Sequence, residues 1–441
     1  MSTRYVDFEI TVLEKRDEGY PVRVKSPAGD DKSLLHLDVK AQTFQSDLQR
    51  LREFDTDEAL LTRLGRTLYE ALFQPPVASA WRSCRDGLEA GEELRIKLII
   101  EPQELSTLPW ELMCDPDSYP LASTYSIVRY LPLPSPIRPM KVELPLRILC
   151  VISGPSDWEQ LDGDKERARL EKALQPLRER GLVHLDFSRE AHWSAIQDRL
   201  RRGGYHIFHY IGHGWFDPDE RRGHLILENP DGTGDEVDAR RLKVLFDRSS
   251  IRLAVLNGCE TARFSLEPLM GVAPALVRAD IPAVVAMQFE VPDTSAITFS
   301  SMFYQTLAEG HPVDYCVSEA RKALIGEVGL SQVDWAIPSL WMRGDGVLFE
   351  LPTPPPAAEE KELEEIEDTG EDTGSLKYMD DEALKDLLET HRTNLGVLEQ
   401  QAAMYGGMPP LPIIHQIRNS KEQIRLIQIE LQRRRQRMSS G

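Results

Sequence analysis

Cysteine is scarce in this sequence, and its spacing excludes two common uses of the residue. The chain has 441 residues, of which only five are cysteines. An odd number of scattered cysteines does not form a disulfide framework, and without a CxxC pair the spacing of a zinc site is missing. We therefore expect reduced thiols in a cytoplasmic protein. The five residues are Cys84, Cys114, Cys150, Cys259 and Cys316.

Long apolar runs, a phosphate-binding loop and an excess of positive charge are also missing. No apolar run approaches the roughly 18 residues of a membrane span, and no basic segment precedes an apolar one at the start, so we expect neither a membrane helix nor a secretory signal. The absence of GxxxxGK[S/T] argues against a P-loop nucleotide site, and we expect no cofactor. The net charge of −20 argues against direct binding of nucleic acid.

The composition that remains is globular, with 41% hydrophobic and 28% charged residues in a chain long enough for two or three domains. Residues 1–94 combine short strands with helices and are interpreted as an α+β accessory region. From residue 146 buried strands alternate with helices, which predicts an α/β fold, a mostly parallel sheet between helices. Such sheets carry their sites at the carboxyl ends of strands.

The last part of the chain has a different composition. Residues 352–376 begin Pro-rich and become acidic, which is typical of a linker that cannot bury a core. Residues 377–438 contain two apolar stripes at helical spacing, separated by a break rich in Gly and Pro, and predict an αα-hairpin. Because two helices alone bury little surface, we expect the hairpin to bind a partner: itself, the body of the protein, or a regulatory or recruiting protein.

Reactive side chains follow two of the predicted strands. Cys259 follows the strand in LAVLNG, and His213 follows the strand in YHIFHYIG, between Gly212 and Gly214. Because the carboxyl ends of parallel strands lie at one edge of a sheet, we expect the two side chains to meet. A cysteine nucleophile needs such a base nearby. The backbone amides of Gly214 and Cys259 are candidate donors for an oxyanion hole.

Other interpretations of these residues stay open at this point. A single cysteine at a strand end is also typical of a buried, inert thiol. His206, His209 and His213 suggest a metal site, but His206 and His209 face opposite sides of a strand, so we expect no zinc there. His209 could instead hold a site residue in position without contacting the substrate itself. Cys150 and Cys316 lie in apolar or helical contexts and are predicted to belong to the core.

Five stretches, in order, carry a family resemblance: LPWELMCDPDSYPLASTYSIVRY, HIFHYIGHGWF, LAVLNGCETA, LMGVAPALVRADIPAVVAMQFEVPDTSAITFSSMFYQTLAEG and DWAIPSLWMRGDG. Together they make residues 95–351 resemble the CHAT domain, a caspase-like peptidase domain of the clan that includes caspases and separase. The resemblance implies a caspase-like α/β sandwich and a dyad carried onto Cys259 and His213. It also implies an oxyanion hole near Gly214.

The resemblance further implies where a substrate side chain is read. In relatives related to separase, an acidic residue on the loop after the next strand binds a basic residue before the cut. The matching loop here is FEVPDTS, so Asp293 is the first candidate and Glu290 the second. Gln288 and Phe289 replace the tryptophan of the motif, which leaves the pocket shape open. Asp293 also fits the N-cap of the helix that begins at TSAIT.

The expected function is that of a bacterial cysteine endopeptidase that cleaves a specific protein after Arg or Lys, in antiviral defence or programmed cell death. The hairpin at 377–438 is similar to helical modules of bacterial conflict-system proteins, which implies recruitment. Caspase relatives also imply oligomerisation on activation and a mobile loop in WFDPDERRGHLILENPDGTGDE. The alternatives are a catalytically inactive CHAT scaffold that acts through the hairpin, and an acyltransferase or thiol hydrolase on small molecules.

Overall fold

The chain divides into two compact units, residues 1–352 and 353–441. In the second unit the helical residues Leu388 and Leu395 are buried or half-buried, whereas Lys385 and Arg392 are exposed, which is the alternation of an amphipathic helix. The recruiting role predicted for this segment stays a prediction. The structure, a computed structural model, describes residues 4–134, 137–217, 222–258, 268–289, 291–351, 385, 388, 392 and 395.

The described part of the first unit contains sixteen strands, ten α-helices and three short 3-10 helices. The strands are β1 (Arg4–Val12), β2 (Tyr20–Ser26), β3 (Gly29–Leu35), β4 (Glu92–Ile100), β5 (Ser126–Tyr130), β6 (Met140–Lys141), β7 (Leu146–Ile152), β8 (Val183–Phe187), β9 (Ile207–Gly212), β10 (Gly214–Asp217), β11 (Arg222–Glu228), β12 (Gly234–Asp238), β13 (Leu253–Gly258), β14 (Ala283–Met287), β15 (Pro338–Met342) and β16 (Phe349–Glu350).

The helices are α1 (Gln42–Arg52), α2 (Glu58–Leu72), α3 (Pro75–Asp86), α4 (Gln103–Ser106), α5 (Gly163–Glu179), α6 (Trp193–Gly203), α7 (Ala239–Phe246), α8 (Pro268–Arg278), α9 (Asp293–Ala308) and α10 (Val313–Val328). None of these helices, which all lie in the described ranges, combines the length and the apolar character of a membrane span.

Eleven strands form one sheet in the order β3-β2-β1-β4-β5-β15-β14-β13-β9-β7-β8. The five strands from β14 to β8 run parallel to their neighbours, and so do β1, β4, β5 and β15. The two groups meet at the antiparallel pair β14–β15. This arrangement confirms the predicted mostly parallel α/β sheet.

Both faces of the sheet are covered by helices, which explains the apolar sequences of the central strands. In β9, Ile207 and Ile211 pack into a core with α5 and α9, whereas Phe208 and Tyr210 pack into a second core with α6, α7 and α8. Successive side chains of a strand point to opposite faces, so a strand covered on both sides must be apolar at nearly every position. This is why β7, β9, β13 and β14 read as continuous apolar runs.

The N-terminal strands extend the same sheet. β1 pairs with β4 along its whole length, from Arg4↔Glu92 to Val12↔Ile100, and β4 pairs in turn with β5. β4 therefore crosses the boundary predicted at residue 94. The apolar side of α2 packs into the core that covers one face of this sheet. The sheet therefore has no break between the predicted accessory region and the predicted CHAT domain. The division of the chain at residue 94 stays a prediction.

The segment after His213 contains a small sheet where a mobile loop was expected. Its described residues form β10, β11 and β12, which pair antiparallel as a separate three-stranded sheet. These strands are short and mix Gly and Asp with apolar residues, so the sequence alternation that marks a strand is weak. Cross-strand pairs such as His224↔Asp238 show that they are strands nonetheless.

Two helical glycines give a direct test of the packing. A Cβ atom on Gly65 in α2 would lie 2.3 Å from the carbonyl oxygen of Leu112 and 2.6 Å from Sγ of Cys114, whereas one on Gly326 in α10 would meet open space. We expect Gly65→Ala to lower the free energy of unfolding by about 1–3 kcal/mol through overpacking. Gly326→Ala should raise it by about 0.5–1 kcal/mol because helical glycine is intrinsically unfavourable. Chemical denaturation of both variants checks this, and shifts of equal sign would contradict it.

Candidate active site

Two neighbouring parallel strands end together at the predicted site. β9 and β13 pair from Ile207↔Leu253 to Gly212↔Gly258. The next residue of the chain is His213 after β9 and Cys259 after β13. Because paired strands lie about 4.8 Å apart, the ends of β9 and β13 lie side by side at one edge of the sheet. Cys259 itself lies outside the described residues, so contact between its thiol and His213 stays a prediction.

The ring of His213 is held from one side by the segment that follows β7. Its Nε2 atom lies 2.8 Å from the backbone carbonyl oxygen of Glu159, and the ring lies against that of Trp158 with centroids 5.5 Å apart. A carbonyl oxygen can only accept a hydrogen bond, so Nε2 carries the proton of the neutral ring. Nδ1 is then the nitrogen that can accept a proton. The segment therefore leaves Nδ1 as the nitrogen that could serve as a base.

The segment that positions His213 is itself fixed to the hairpin of β11 and β12. The amide of Ser156 donates to the carbonyl oxygen of Gly232 (2.8 Å), and the amide of Gly234 donates to the carboxylate of Asp157 (2.7 Å). Trp158 packs so closely on Gly234 that a Cβ atom there would lie 2.5 Å from the indole nitrogen. The sequence analysis missed Trp158 and Glu159. The only available signal was an aromatic residue in the loop after a strand that ends at this edge.

Gly214 begins β10 directly after His213. The amide of Ile226 donates to the carbonyl oxygen of His213 (3.0 Å), so these two residues form a hydrogen-bonded position of the ladder between β10 and β11. Hydrogen-bonded and non-bonded positions alternate in an antiparallel pair, so the pair Gly214↔Leu225 is non-bonded. The amide of Gly214 consequently points away from β11. The amide predicted as an oxyanion donor is therefore not used in the ladder between β10 and β11.

Asp293, the first candidate for a substrate-binding acid, is the first residue of α9. Its carboxylate lies 3.0 Å from Nζ of Lys165 and also pairs with Arg169, both on α5. The N-cap of α9 is Pro292, so the alternative prediction that Asp293 caps this helix is wrong. The carboxylate is 44% exposed although it has two cationic partners within the chain. Glu290, the second candidate, lies outside the described residues.

Gln288, which replaces the tryptophan of the family motif, has a structural role. Gln288 is buried, and its amide donates to Glu111 (2.9 Å) and to the carbonyl oxygen of Ala336 (2.9 Å). Glu111 in turn accepts two hydrogen bonds from the buried Arg129 of β5 (3.0 and 2.7 Å). Gln288 therefore joins a buried ion pair to the end of β14, and its side chain is not free to line a pocket.

The other four cysteines are buried. Burial raises the pKa of the Cys150 and Cys316 thiols well above the usual range, and burial, assisted by Asp115, raises that of Cys114 to about 12. A buried, protonated thiol is a poor nucleophile. The prediction that Cys150 and Cys316 belong to the core is confirmed.

The remaining strand histidines have separate partners. Nδ1 of His206 accepts a hydrogen bond from the amide of Arg147 (3.1 Å). His209 is fully buried, with Nδ1 2.6 Å from the hydroxyl of Tyr304 and Nε2 3.4 Å from the side-chain nitrogen of Asn257. Burial lowers the pKa of His209 to about 3, so its ring is neutral. The described residues contain no group of His, Cys, Asp and Glu that could hold a metal ion.

A comparison with known families now adds to this geometry. The model of the CHAT domain matches residues 62–342, which is more than half of the chain. The chain belongs to the CHAT family. The match begins inside α2, so the CHAT region includes part of the predicted accessory region. A CHAT domain has a peptidase-like fold, and that much is established for this protein.

Solved structures and curated proteins add little to the CHAT assignment. One similar structure is the crystal structure of the Arg specific cysteine proteinase gingipain R (RGPB), with 14% identity over 71% of this chain and 78% of that chain, and a TM-score of 0.38. So distant a likeness says nothing about the activity of this CHAT protein. None of the curated proteins matches it in sequence.

The neutral His209 predicts a specific pH dependence of stability. The unfolded chain takes up a proton at this histidine near pH 6.5, whereas the folded protein resists it down to about pH 3, so stability falls as pH drops through this window. In His209→Gln we expect the slope of unfolding free energy between pH 6 and 4 to be lower by about 1.4 kcal/mol per pH unit. Chemical denaturation at several pH values measures both slopes. Above pH 7 the curves should run parallel, and equal slopes below pH 6 would contradict the assignment.

Proposed function

We propose that this CHAT protein is a cysteine endopeptidase in which Cys259 is the nucleophile and His213 the base. The observation that carries the proposal is the parallel register of β9 and β13, which ends at Gly212↔Gly258 and leaves these two residues next in line at one sheet edge. The tautomer of His213 and the burial of the other four cysteines support it.

The proposed reaction is an acyl transfer to a thiol and then to water. Cys259 passes its proton to Nδ1 of His213, and the thiolate attacks the scissile carbonyl carbon. The amides of Gly214 and Cys259 stabilise the tetrahedral oxyanion. His213 then gives its proton to the leaving amine, and water, with His213 again as base, releases the acyl group.

We further propose that the enzyme cuts after Arg or Lys, and that Asp293 binds this basic side chain. Its carboxylate is 44% exposed and pairs with two cations of α5, Lys165 and Arg169, which supports a role in pairing with basic side chains. A substrate side chain would join or replace them. Glu290 stays the second candidate for the same role.

We also propose a biological setting, which depends on the family resemblance and not on the site. The substrate is one specific protein, cleaved in the cytoplasm in a bacterial defence or cell-death pathway. The hairpin at 377–438 recruits or receives a regulatory protein, and activation involves oligomerisation.

Substitution of the dyad should abolish cleavage without unfolding the protein. For Cys259→Ala and His213→Ala we expect losses of at least about 1,000-fold in cleavage of an arginine-containing fluorogenic peptide, since each residue is needed for thiolate attack. Cys84→Ala replaces a buried cysteine in the same way and should keep the wild-type activity per folded molecule. Intact mass after treatment with an arginyl acyloxymethyl ketone should show one adduct on wild type and none on Cys259→Ala.

Two outcomes would contradict the dyad. Cleavage retained by purified Cys259→Ala would exclude this cysteine as nucleophile. A folded wild-type protein with neither adduct nor cleavage, even when shortened to residues 1–352, would favour the inactive scaffold. Turnover of a small acyl donor without peptide cleavage would favour the acyltransferase alternative.

Asp293→Asn should weaken the preference for a basic residue before the cut. Removing one charged hydrogen-bond partner should reduce the kcat/KM ratio of arginine to norleucine substrates by about tenfold or more. Asp280→Asn is a matched control, because Asp280 pairs with Arg343 near the opposite end of β14. An unchanged ratio in Asp293→Asn would remove this residue from the specificity site and turn attention to Glu290.

A further inference from the structure

A chain of hydrogen-bonding side chains connects α9 to the end of β13. It consists of Tyr304 on α9, His209 on β9 and Asn257 on β13. His209 pairs across the strands with Val255, so Asn257, two residues later, projects from the same face of the sheet. Cys259 follows two residues after Asn257. The hydrogen-bonded series therefore runs from α9 toward the end of β13, which Cys259 follows in the sequence.

Counting protons fixes the direction of these hydrogen bonds. The neutral ring of His209 has one N–H, and burial raises the pKa of the Tyr304 hydroxyl well above its usual range, so that hydroxyl keeps its proton. Within the described ranges the hydroxyl has no hydrogen-bond partner other than Nδ1 of His209. It therefore donates to Nδ1, which places the ring proton of His209 on Nε2.

Asn257 must then accept from Nε2 with its side-chain oxygen. Oδ1 of Asn257 is buried, and among the described groups no donor reaches it, whereas Nδ2 lies beside the ring. A half-turn of the amide removes this conflict, because Oδ1 then accepts from Nε2–H. The same half-turn moves the NH2 group into the position that Oδ1 occupied, where no described group is a hydrogen-bond partner. A buried N–H without an acceptor is unfavourable, so this group requires an acceptor at the end of β13.

We propose that Tyr304 and His209 are positioning residues that orient the Asn257 amide, and that its NH2 group donates a hydrogen bond to the negative charge formed at the end of β13 during the reaction. This inference depends on the proposed function. It adds a side-chain donor to the backbone amides of Gly214 and Cys259. A donor that is already oriented needs no rearrangement when the charge appears, which is the source of its effect on the rate.

The first test uses substitutions that separate donor from acceptor. Asn257→Asp keeps an oxygen for Nε2–H of His209 but has no NH2, so kcat should fall about 100-fold with KM changed less than about twofold. Tyr304→Phe leaves His209 free to change tautomer, so kcat should fall about three- to tenfold by the same mechanism. Tyr315→Phe on α10 is the matched control and should behave as wild type. Wild-type kcat in folded Asn257→Asp would overturn the proposal.

The second measurement does not need peptidase activity. The rate of alkylation of Cys259 by iodoacetamide, followed by peptide mass against pH in the full chain, reports ionisation of its thiol. Loss of the donor should move the midpoint upward by about one pH unit or more in Asn257→Leu, which removes the NH2 group without adding a charge, whereas a purely structural role would leave the midpoint unchanged. If wild type never cleaves a peptide but this shift occurs, the proposed function fails and the donor role stands. Variants that lose thermal stability with unchanged midpoints would overturn the donor role.

Discussion

The parallel ladder between β9 and β13 is the constraint on which the rest of the site depends. Its register decides which residues leave the sheet together, and a shift of one position would move every side chain of β13 to the other face. The apolar cores on both faces oppose that shift, because Leu253 and Val255 of β13 belong to one core and Ala254 and Leu256 to the other. Burial of apolar surface thus fixes which residues come next at this edge of the sheet.

The central strands could be predicted, and the candidate dyad proposed, because the signals for both lie in local sequence. Continuous apolar runs predict strands covered on both faces, and glycines at the ends of two of them indicate where the chain leaves the sheet. What could not be predicted depends on distant partners. β4 crosses the proposed domain boundary because it pairs with β1 more than 80 positions away in the chain. The pairing of Asp293 with α5 likewise joins segments that no local pattern connects.

Polar groups at the site edge are nearly all held by elements other than their own. His213 is oriented by the segment after β7, Asn257 by residues on β9 and α9, and Asp293 by α5. Each arrangement therefore requires the complete sheet with its helices. A fragment containing only β9 and β13 would keep the residues and lose their tautomers and orientations.

The contact between His213 and residue 159 uses a main-chain oxygen. Every residue type has that oxygen, so position 159 can vary freely in evolution without loss of the interaction, and aligned sequences would show no trace of it. Only the path of the backbone matters. In relatives, the orientation of this histidine should therefore depend on the length and anchoring of the segment more than on the identity of its residues. An insertion there would displace the carbonyl oxygen while every recognisable motif stayed intact.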